Sequence, residues 1–242
     1  MNPDSAAACL FNPRPTITTV PLPGRAPVVV VDDVLLDPDA VVTWATGQVF
    51  QPPRAFPYPG VVRPAPADLS AGFGDFFAVH VREFLGVDSV LAHDLRLSMV
   101  TTPPARLDPR QWQCHRDAPE PGPTSAYVAS VLYLFRDPSL GGTSFYRPLR
   151  PDAEINRLLD DSLQLGREAF RQRHDVQPGY MDGSNAYFER IGQAAAAWNR
   201  MIFYDGGMFH SGDVGGPQAL DPDPRRGRLT INGFFTCTTA AR

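Results

Sequence analysis

Three side chains have the types and spacing of a metal site. The segment Gln113–Asp117 ends a predicted strand, and residues i and i+2 of a strand project from the same face, so His115 and Asp117 can reach one point. A second histidine, His210, follows a later strand and a glycine turn. Two imidazoles and one carboxylate can occupy one face of Fe(II) and leave three coordination positions open. Arg116 lies between two of these residues, so we expect it to point away from the metal.

An HxD pair is a weak signal by itself, because 5 histidines and 26 acidic residues in 242 make an accidental pair about an even chance. The motifs that follow it are more informative. A buried strand over 127–135 leads to the sequence GGTSFY at 141–146. The segment 200–212 then contains a strand, a glycine turn and His210, and the sequence GRLTINGFF at 227–235 places Arg228 at the start of an apolar strand.

These motifs, in this order, resemble the 2-oxoglutarate/Fe(II)-dependent oxygenase superfamily, most closely its compact bacterial subgroup akin to prolyl-hydroxylase domains. The stretch VVVVDDVLLDPDAVVTWA at 28–45 resembles the N-terminal strand and helix of that subgroup, so the resemblance covers about residues 28–238. It implies a double-stranded β-helix, which is a cupin-like jelly roll, with the metal in its mouth. It also implies Fe(II), 2-oxoglutarate as cosubstrate, O2, and hydroxylation of an unactivated C–H bond.

The resemblance assigns roles to individual residues. It makes His115, Asp117 and His210 the iron ligands, and it makes Arg228 the bidentate partner of the distal carboxylate of the cosubstrate. It places two further cosubstrate hydrogen bonds at Thr230 and Tyr133. The gap between His210 and Arg228 is longer than in many members of the superfamily. The two arginines at 225 and 226 therefore compete with Arg228 for the anchoring role.

The elements that position these residues indicate one α+β domain over residues 1–242. Residues 1–27 are predicted to be an extended lead-in, and helices are predicted near 37–48 and 67–85, with a proline-rich loop over 51–66 between them. Strands separated by Pro/Gly/Asp turns dominate from residue 91 onwards. Residues 152–174 are predicted to be helical, and residues 185–197 to be helical or irregular. The insertion 150–199 is predicted to be a lid over the mouth of the site.

Composition excludes several classes of function. The net charge is −4 with no basic stripe, so nucleic acid and anionic membranes are poor partners. The chain contains no Lys, which excludes Schiff-base, Walker-A and kinase lysines. We expect a small-molecule substrate, an amino acid or natural-product intermediate, and Arg63, Arg96 and Arg147 are candidates to bind an anionic group on it. Three cysteines without a CxxC pair, no signal peptide and no membrane helix favour the cytoplasm.

One alternative of a different class fits the same ligands. A cupin-like metal-binding or sensing domain would need the metal site but would not turn over a substrate. A zinc hydrolase is disfavoured because no HExxH or other base-bearing motif accompanies the ligands. The tripeptide HRD at 115–117 also occurs in kinases, but the chain has neither the later Asn nor a Lys that kinases need.

Overall fold

A computed structural model of the chain describes residues 11–53, 57–117 and 124–239. The first ten residues of the predicted lead-in, including Cys9, lie outside these ranges. Within them, no helix is both long enough and apolar enough to cross a bilayer.

The strands are β1 (Thr16–Leu22), β2 (Arg25–Asp32), β3 (Gly60–Pro64), β4 (Ser89–Val100), β5 (Ser125–Tyr133), β6 (Thr143–Pro148), β7 (Phe188–Ala194), β8 (Arg200–Asp205), β9 (Phe209–Gly212) and β10 (Leu229–Thr238). The helices are α1 (Pro38–Thr46), α2 (Ala67–His80), α3 (Asp152–Gln164) and α4 (Arg167–His174).

The strands form two antiparallel sheets. The major sheet has the order β1-β2-β8-β5-β10-β4-β3, and the minor sheet has the order β7-β6-β9. An antiparallel bridge between His115 and His210 adds the segment before Asp117 to the β9 edge of the minor sheet. From β4 onwards the chain passes back and forth between the two sheets. This winding is a double-stranded β-helix, and it confirms the predicted jelly-roll fold class.

Strand β10 shows how the major sheet separates the helices from the interior of the jelly roll. Leu229, Ile231 and Phe235 are fully buried and belong to the core beneath α1 and α2. The Phe235 ring stacks on Phe77 of α2, with 4.3 Å between ring centroids. Because side chains alternate along a strand, Asn232 and the other even-numbered positions face the space between the sheets. Strand β10 therefore presents its polar positions to the interior of the jelly roll.

The two helices of the insertion lie against the minor sheet. Helices α3 and α4 contribute Ile155, Leu158 and Phe170 to a cluster with Tyr146 and Phe209 of that sheet. Phe145, which precedes Tyr146 in β6, belongs instead to the cluster between the sheets. The helices therefore pack on the outer face of the minor sheet, and a lid over the mouth stays a prediction for the rest of the insertion.

Other predicted boundaries also change. The described part of the lead-in, residues 11–27, forms β1 and the start of β2, which are paired as a hairpin. The segment 185–197 contains β7 rather than a helix. The predicted proline-rich loop contains β3. Strands β1, β7 and β3 are short and lie at sheet edges. Each is stabilised by pairing with one neighbour (β2, β6 and β4, in that order), so local sequence signals for them are weak.

Candidate active site

Backbone hydrogen bonds bring the three predicted ligands together. The amide of His115 donates to the carbonyl of His210 and the amide of His210 donates back, both at 2.9 Å. The amide of Asp117 donates to the carbonyl of Gly206 at 2.9 Å, just before β9. One ligand atom from each of His115, Asp117 and His210 therefore lies within 4.8 Å of the others.

The side chains of His115, Asp117 and His210 interact electrostatically. Asp117 Oδ1 lies 3.6 Å from His115 Nε2, and Asp117 Oδ2 lies 3.3 Å from His210 Nε2. Burial opposes ionisation of Asp117, but the charge of His210 and the contacts of both imidazoles together outweigh burial and hold the pKa of Asp117 well below its usual range. Burial also lowers the pKa of His210, but the Asp117 carboxylate outweighs it and the net pKa is raised. The arrangement favours an ionised carboxylate beside the two imidazoles.

The donor set fits a divalent metal. His210 Nδ1 lies 3.0 Å from the carbonyl of Met208 and donates to it, so Nε2 is the nitrogen that would bind a metal. Among the described residues, Asp117 Oδ2 is buried, and His210 Nε2 approaches it to 3.3 Å without the alignment of a good hydrogen bond. A buried carboxylate oxygen without a donor is costly unless a cation is its partner. His115, Asp117 and His210 are therefore the residues that could hold a metal.

A cavity of about 450 Å³ opens beside these three residues. The major sheet contributes Arg96, Tyr127, Asn232 and Phe234 to its walls. Segments outside the strands contribute Tyr58, Gln113, Tyr180 and Met181. Arg228 also lines the cavity. The cavity therefore contains the candidate metal ligands and a buried arginine.

The guanidinium of Arg228 is held in place from several sides. Its Nε donates to the carbonyl of Gly141 at 3.1 Å, and its Nη2 donates to the carbonyl of Gly142 at 2.9 Å. The rings of Tyr133 and Phe135 lie 5.9 and 5.7 Å from its central carbon. The side chain is only 5% exposed. These contacts fix the direction of a cation that lines the cavity.

The competing arginines point elsewhere. Arg225 pairs with Asp223 at 3.0 Å, and Arg226 pairs with Asp221 at 2.9 Å. Both are largely exposed and neither lines the cavity that contains the metal ligands. Of the three arginines, Arg228 alone lines this cavity.

The predicted hydroxyls, in contrast, lie one layer behind the cavity. The hydroxyl of Tyr133 bonds to Thr143 Oγ1 at 2.8 Å, and burial raises the pKa of Tyr133 to about 12. Thr230 Oγ1 donates to the carbonyl of Ser98 at 3.4 Å. Neither residue lines the cavity, so direct contact of either hydroxyl with a cosubstrate stays a prediction.

Tyr58 is one of the tyrosines that line the cavity, and it lies near Arg228. Burial raises the pKa of Tyr58, and the charge of Arg228 is the largest effect that opposes this rise. The Tyr58 hydroxyl is buried, and the Ser98 and Thr230 side chains lie beside it without a well-aligned hydrogen bond. Its loop is held against β4, because a Cβ at Gly60 would lie 2.0 Å from the carbonyl of Met99. The sequence analysis missed Tyr58 because a proline-rich loop gives no signal of facing a site.

The structure separates the three arginines that were candidate substrate ligands. Arg96 lines the cavity, with its guanidinium 4.4 Å from the centre of the Phe234 ring. Arg63 lies over Trp44 of α1, and Arg147 pairs with Glu189 on the minor sheet at 2.5 Å. Neither Arg63 nor Arg147 lines the cavity. Residues two apart on a strand share a face, so Arg96 in β4 would also have pointed to Asp94, which lines the cavity.

A family model matches residues 13–235, and its description reads "Family of unknown function (DUF6445)". The chain belongs to this family. No curated protein matches the sequence.

Several solved structures are similar to this chain at low identity. HygX from Streptomyces hygroscopicus, with nickel and 2-oxoglutarate bound, is 9% identical over 89% of this chain and 84% of that one, with a TM-score of 0.48. A Pseudomonas putida prolyl-4-hydroxylase is 14% identical over 88% and 93%, with a TM-score of 0.43. SnoK, a non-heme alpha ketoglutarate dependent carbocyclase from nogalamycin biosynthesis, is 12% identical over 89% and 80%, with a TM-score of 0.48. Likenesses at this level identify neither the chemistry nor the substrate of this chain.

Proposed function

We propose that this protein is a non-haem Fe(II)/2-oxoglutarate-dependent dioxygenase that hydroxylates an unactivated C–H bond of a small molecule. One observation carries the proposal. A His-Asp-His group with a buried carboxylate oxygen and a fixed, buried arginine line the same cavity. A dicarboxylate that chelates a metal through one end needs both features at once.

In this proposal, His115, Asp117 and His210 hold Fe(II), and their two imidazoles and one carboxylate leave positions for cosubstrate and oxygen. When bound, the metal and 2-oxoglutarate supply the oxidising chemistry, with release of succinate and CO2. Arg228 binds the distal carboxylate and orients the cosubstrate. Its guanidinium is already held by the carbonyls of Gly141 and Gly142, so little side-chain freedom is lost on binding.

The walls of the cavity define where a substrate binds. Tyr127 and Phe234 lie side by side, with ring centroids 6.2 Å apart, and offer an apolar wall. Arg96, stacked on Phe234, offers a cation on the same wall. A cavity of about 450 Å³ suits a small metabolite better than a folded macromolecule. We propose an amino acid or a natural-product intermediate as the substrate.

Anaerobic titration tests the proposal directly. Fe(II) together with 2-oxoglutarate should give a weak visible charge-transfer band in the wild-type protein, and Asp117→Ala should give none. A cupin-like sensing domain or a zinc hydrolase would show no such band with wild-type protein, and that result would overturn the proposal. Succinate release during incubation with fractionated metabolite pools should then identify the substrate.

A further inference from the structure

Polar atoms without partners concentrate in the cavity. Within the described residues, the buried side-chain atoms of its lining residues that lack a well-aligned hydrogen bond include Tyr58 Oη, Asp117 Oδ2, Asn232 Oδ1 and both amide atoms of Gln113. Each such atom destabilises the folded protein if it stays unpaired in the complete molecule. Native proteins keep few of them. Their presence in one cavity indicates polar ligands.

Two of these residues have partners under the proposed function. Asp117 belongs to the metal site, and Tyr58 lies near Arg228, where the distal carboxylate of the cosubstrate would bind. Asn232 and Gln113 are left over. Asn232 Nδ2 donates to Ser98 Oγ at 3.3 Å, whereas Gln113 has both a donor and an acceptor unpaired among the described residues. Gln113 is 4% exposed, so water has little access to its amide.

The direction of the Gln113 side chain follows from its neighbours. Trp112 and Cys114 are both buried in the cluster beneath α3 and α4. Gln113 lines the cavity instead, as does His115 two residues later. Gln113 and the metal ligands therefore line one cavity, and a molecule that fills this cavity beside the metal also lies against Gln113.

The wall around Gln113 is built largely from segments outside the β-strands. The side-chain amide of Gln111 donates to the carbonyl of Pro57 at 3.1 Å, which ties the segment before His115 to the Tyr58 loop. The backbone amide of Cys114 donates to the sulfur of Met181 at 3.2 Å, in the loop after α4. These contacts fix the backbone on both sides of Gln113.

We propose that Gln113 recognises a carboxamide group of the primary substrate; this inference rests on the proposed function. A primary or peptide amide offers an N–H and a C=O side by side, and it can pair with both atoms of Gln113 at once. A carboxylate has no donor for Gln113 Oε1, and an ester has no N–H. An analogue that lacks either the N–H or the C=O binds more weakly, because it leaves an atom of the buried Gln113 amide without a hydrogen bond.

Matched probes test the assignment. Isobutyramide, benzamide and phenylacetamide are compared with their methyl esters and carboxylates, using saturation-transfer NMR on the zinc-loaded protein with and without 2-oxoglutarate. We expect at least one amide to bind wild-type protein about tenfold more tightly than its ester and carboxylate. Gln113→Leu and Gln113→Met should erase this preference, while their melting temperatures stay unchanged or rise. Gln172→Leu is the matched control, since Gln172 lies on α4 and its amide bonds to Glu168 at the surface.

Each outcome decides the question. The carboxamide assignment is overturned if no amide binds better than its ester, or if the preference survives in both Gln113 variants. Binding of 2-oxoglutarate, measured in the same samples, reports on the proposed function separately. If 2-oxoglutarate binds and the amide preference is missing, only the substrate assignment fails. If 2-oxoglutarate does not bind, the proposed function fails, and the amide series without cosubstrate still decides the role of Gln113.

Discussion

Two His–Asp clusters in this molecule use the same residue types for different purposes. Asp161 in α3 accepts a hydrogen bond from His174 Nε2 at 2.8 Å and two from Arg173 at 3.1 Å. His174 Nδ1 lies 3.0 Å from the Tyr187 hydroxyl. Asp117, between His115 and His210, has instead a buried oxygen without a hydrogen bond among the described residues.

The difference between the clusters lies in hydrogen bonding rather than in charge. Both aspartates have a pKa below the usual range. The pKa of Asp161 is low mainly because His174 donates to it, and that of Asp117 is low because His210 and His115 together outweigh burial. In the Asp161 cluster every polar group named above has a protein partner, so it needs no ligand. The Asp117 cluster faces a cavity and is incomplete without one. Residue types and depressed pKa values therefore do not separate the two clusters, whereas their hydrogen bonds and the adjacent cavity do.

Loss of a predicted metal ligand is expected to have the largest effect. His115→Ala, Asp117→Ala and His210→Ala should each weaken divalent-metal binding by about a hundredfold or more, since loss of an outer-shell partner alone costs 10–100-fold. Far-UV circular dichroism should stay that of the wild type. Calorimetric titration with Zn²⁺ measures the affinity. Wild-type affinity in a folded single variant would remove that residue from the site.

Arg228→Ala should weaken 2-oxoglutarate binding to the metal-loaded protein by one to several powers of ten. A buried charge-assisted contact contributes about 1.5–3 kcal/mol or more, equal to at least tenfold in affinity. Arg225→Ala and Arg226→Ala are matched controls and should change it little, because both side chains are in surface ion pairs. Cosubstrate titration of all three variants distinguishes them. A large loss with Arg226→Ala and none with Arg228→Ala would contradict the assignment.

Tyr58→Phe should lower 2-oxoglutarate affinity by roughly tenfold, since a hydrogen bond to a charged group contributes about 1.5–3 kcal/mol. Affinity for 2-oxobutyrate, which lacks the distal carboxylate, should not change. Tyr133→Phe serves as the comparison, because its hydroxyl already bonds to Thr143. Equal losses for both oxoacids with Tyr58→Phe would indicate a structural effect instead of a contact with the distal carboxylate.

The Asp161 cluster should respond in the opposite way. His174→Ala leaves the Tyr187 hydroxyl without its partner and should lower the melting temperature by about 2–10 °C. Metal and 2-oxoglutarate affinities of the folded variant should match those of the wild type. A thermal scan combined with the two titrations checks both statements. A loss of metal affinity would mean that the two clusters are coupled through the minor sheet.

The sequence alone determined the features that depend on local periodicity. The HxD spacing places His115 and Asp117 on one face of an extended segment, and the alternation after Arg228 separates polar interior positions from the apolar core. The order of strands and turns predicted an α+β domain, and the resemblance of the motifs to a known superfamily implied the jelly roll. These signals are readable because a strand repeats every two residues wherever it lies in the chain.

Only the tertiary structure decided which side chains share the cavity. Tyr58 and Gln113 reach it from loops, and no periodicity marks a loop residue that faces a site. Arg63 and Arg147 resembled Arg96 as candidates, yet they lie over Trp44 and beside Glu189. Helices α3 and α4 lie outside the minor sheet because their apolar faces pack on Tyr146 and Phe209. Each of these outcomes depends on contacts between residues far apart in sequence, and no local pattern encodes such contacts.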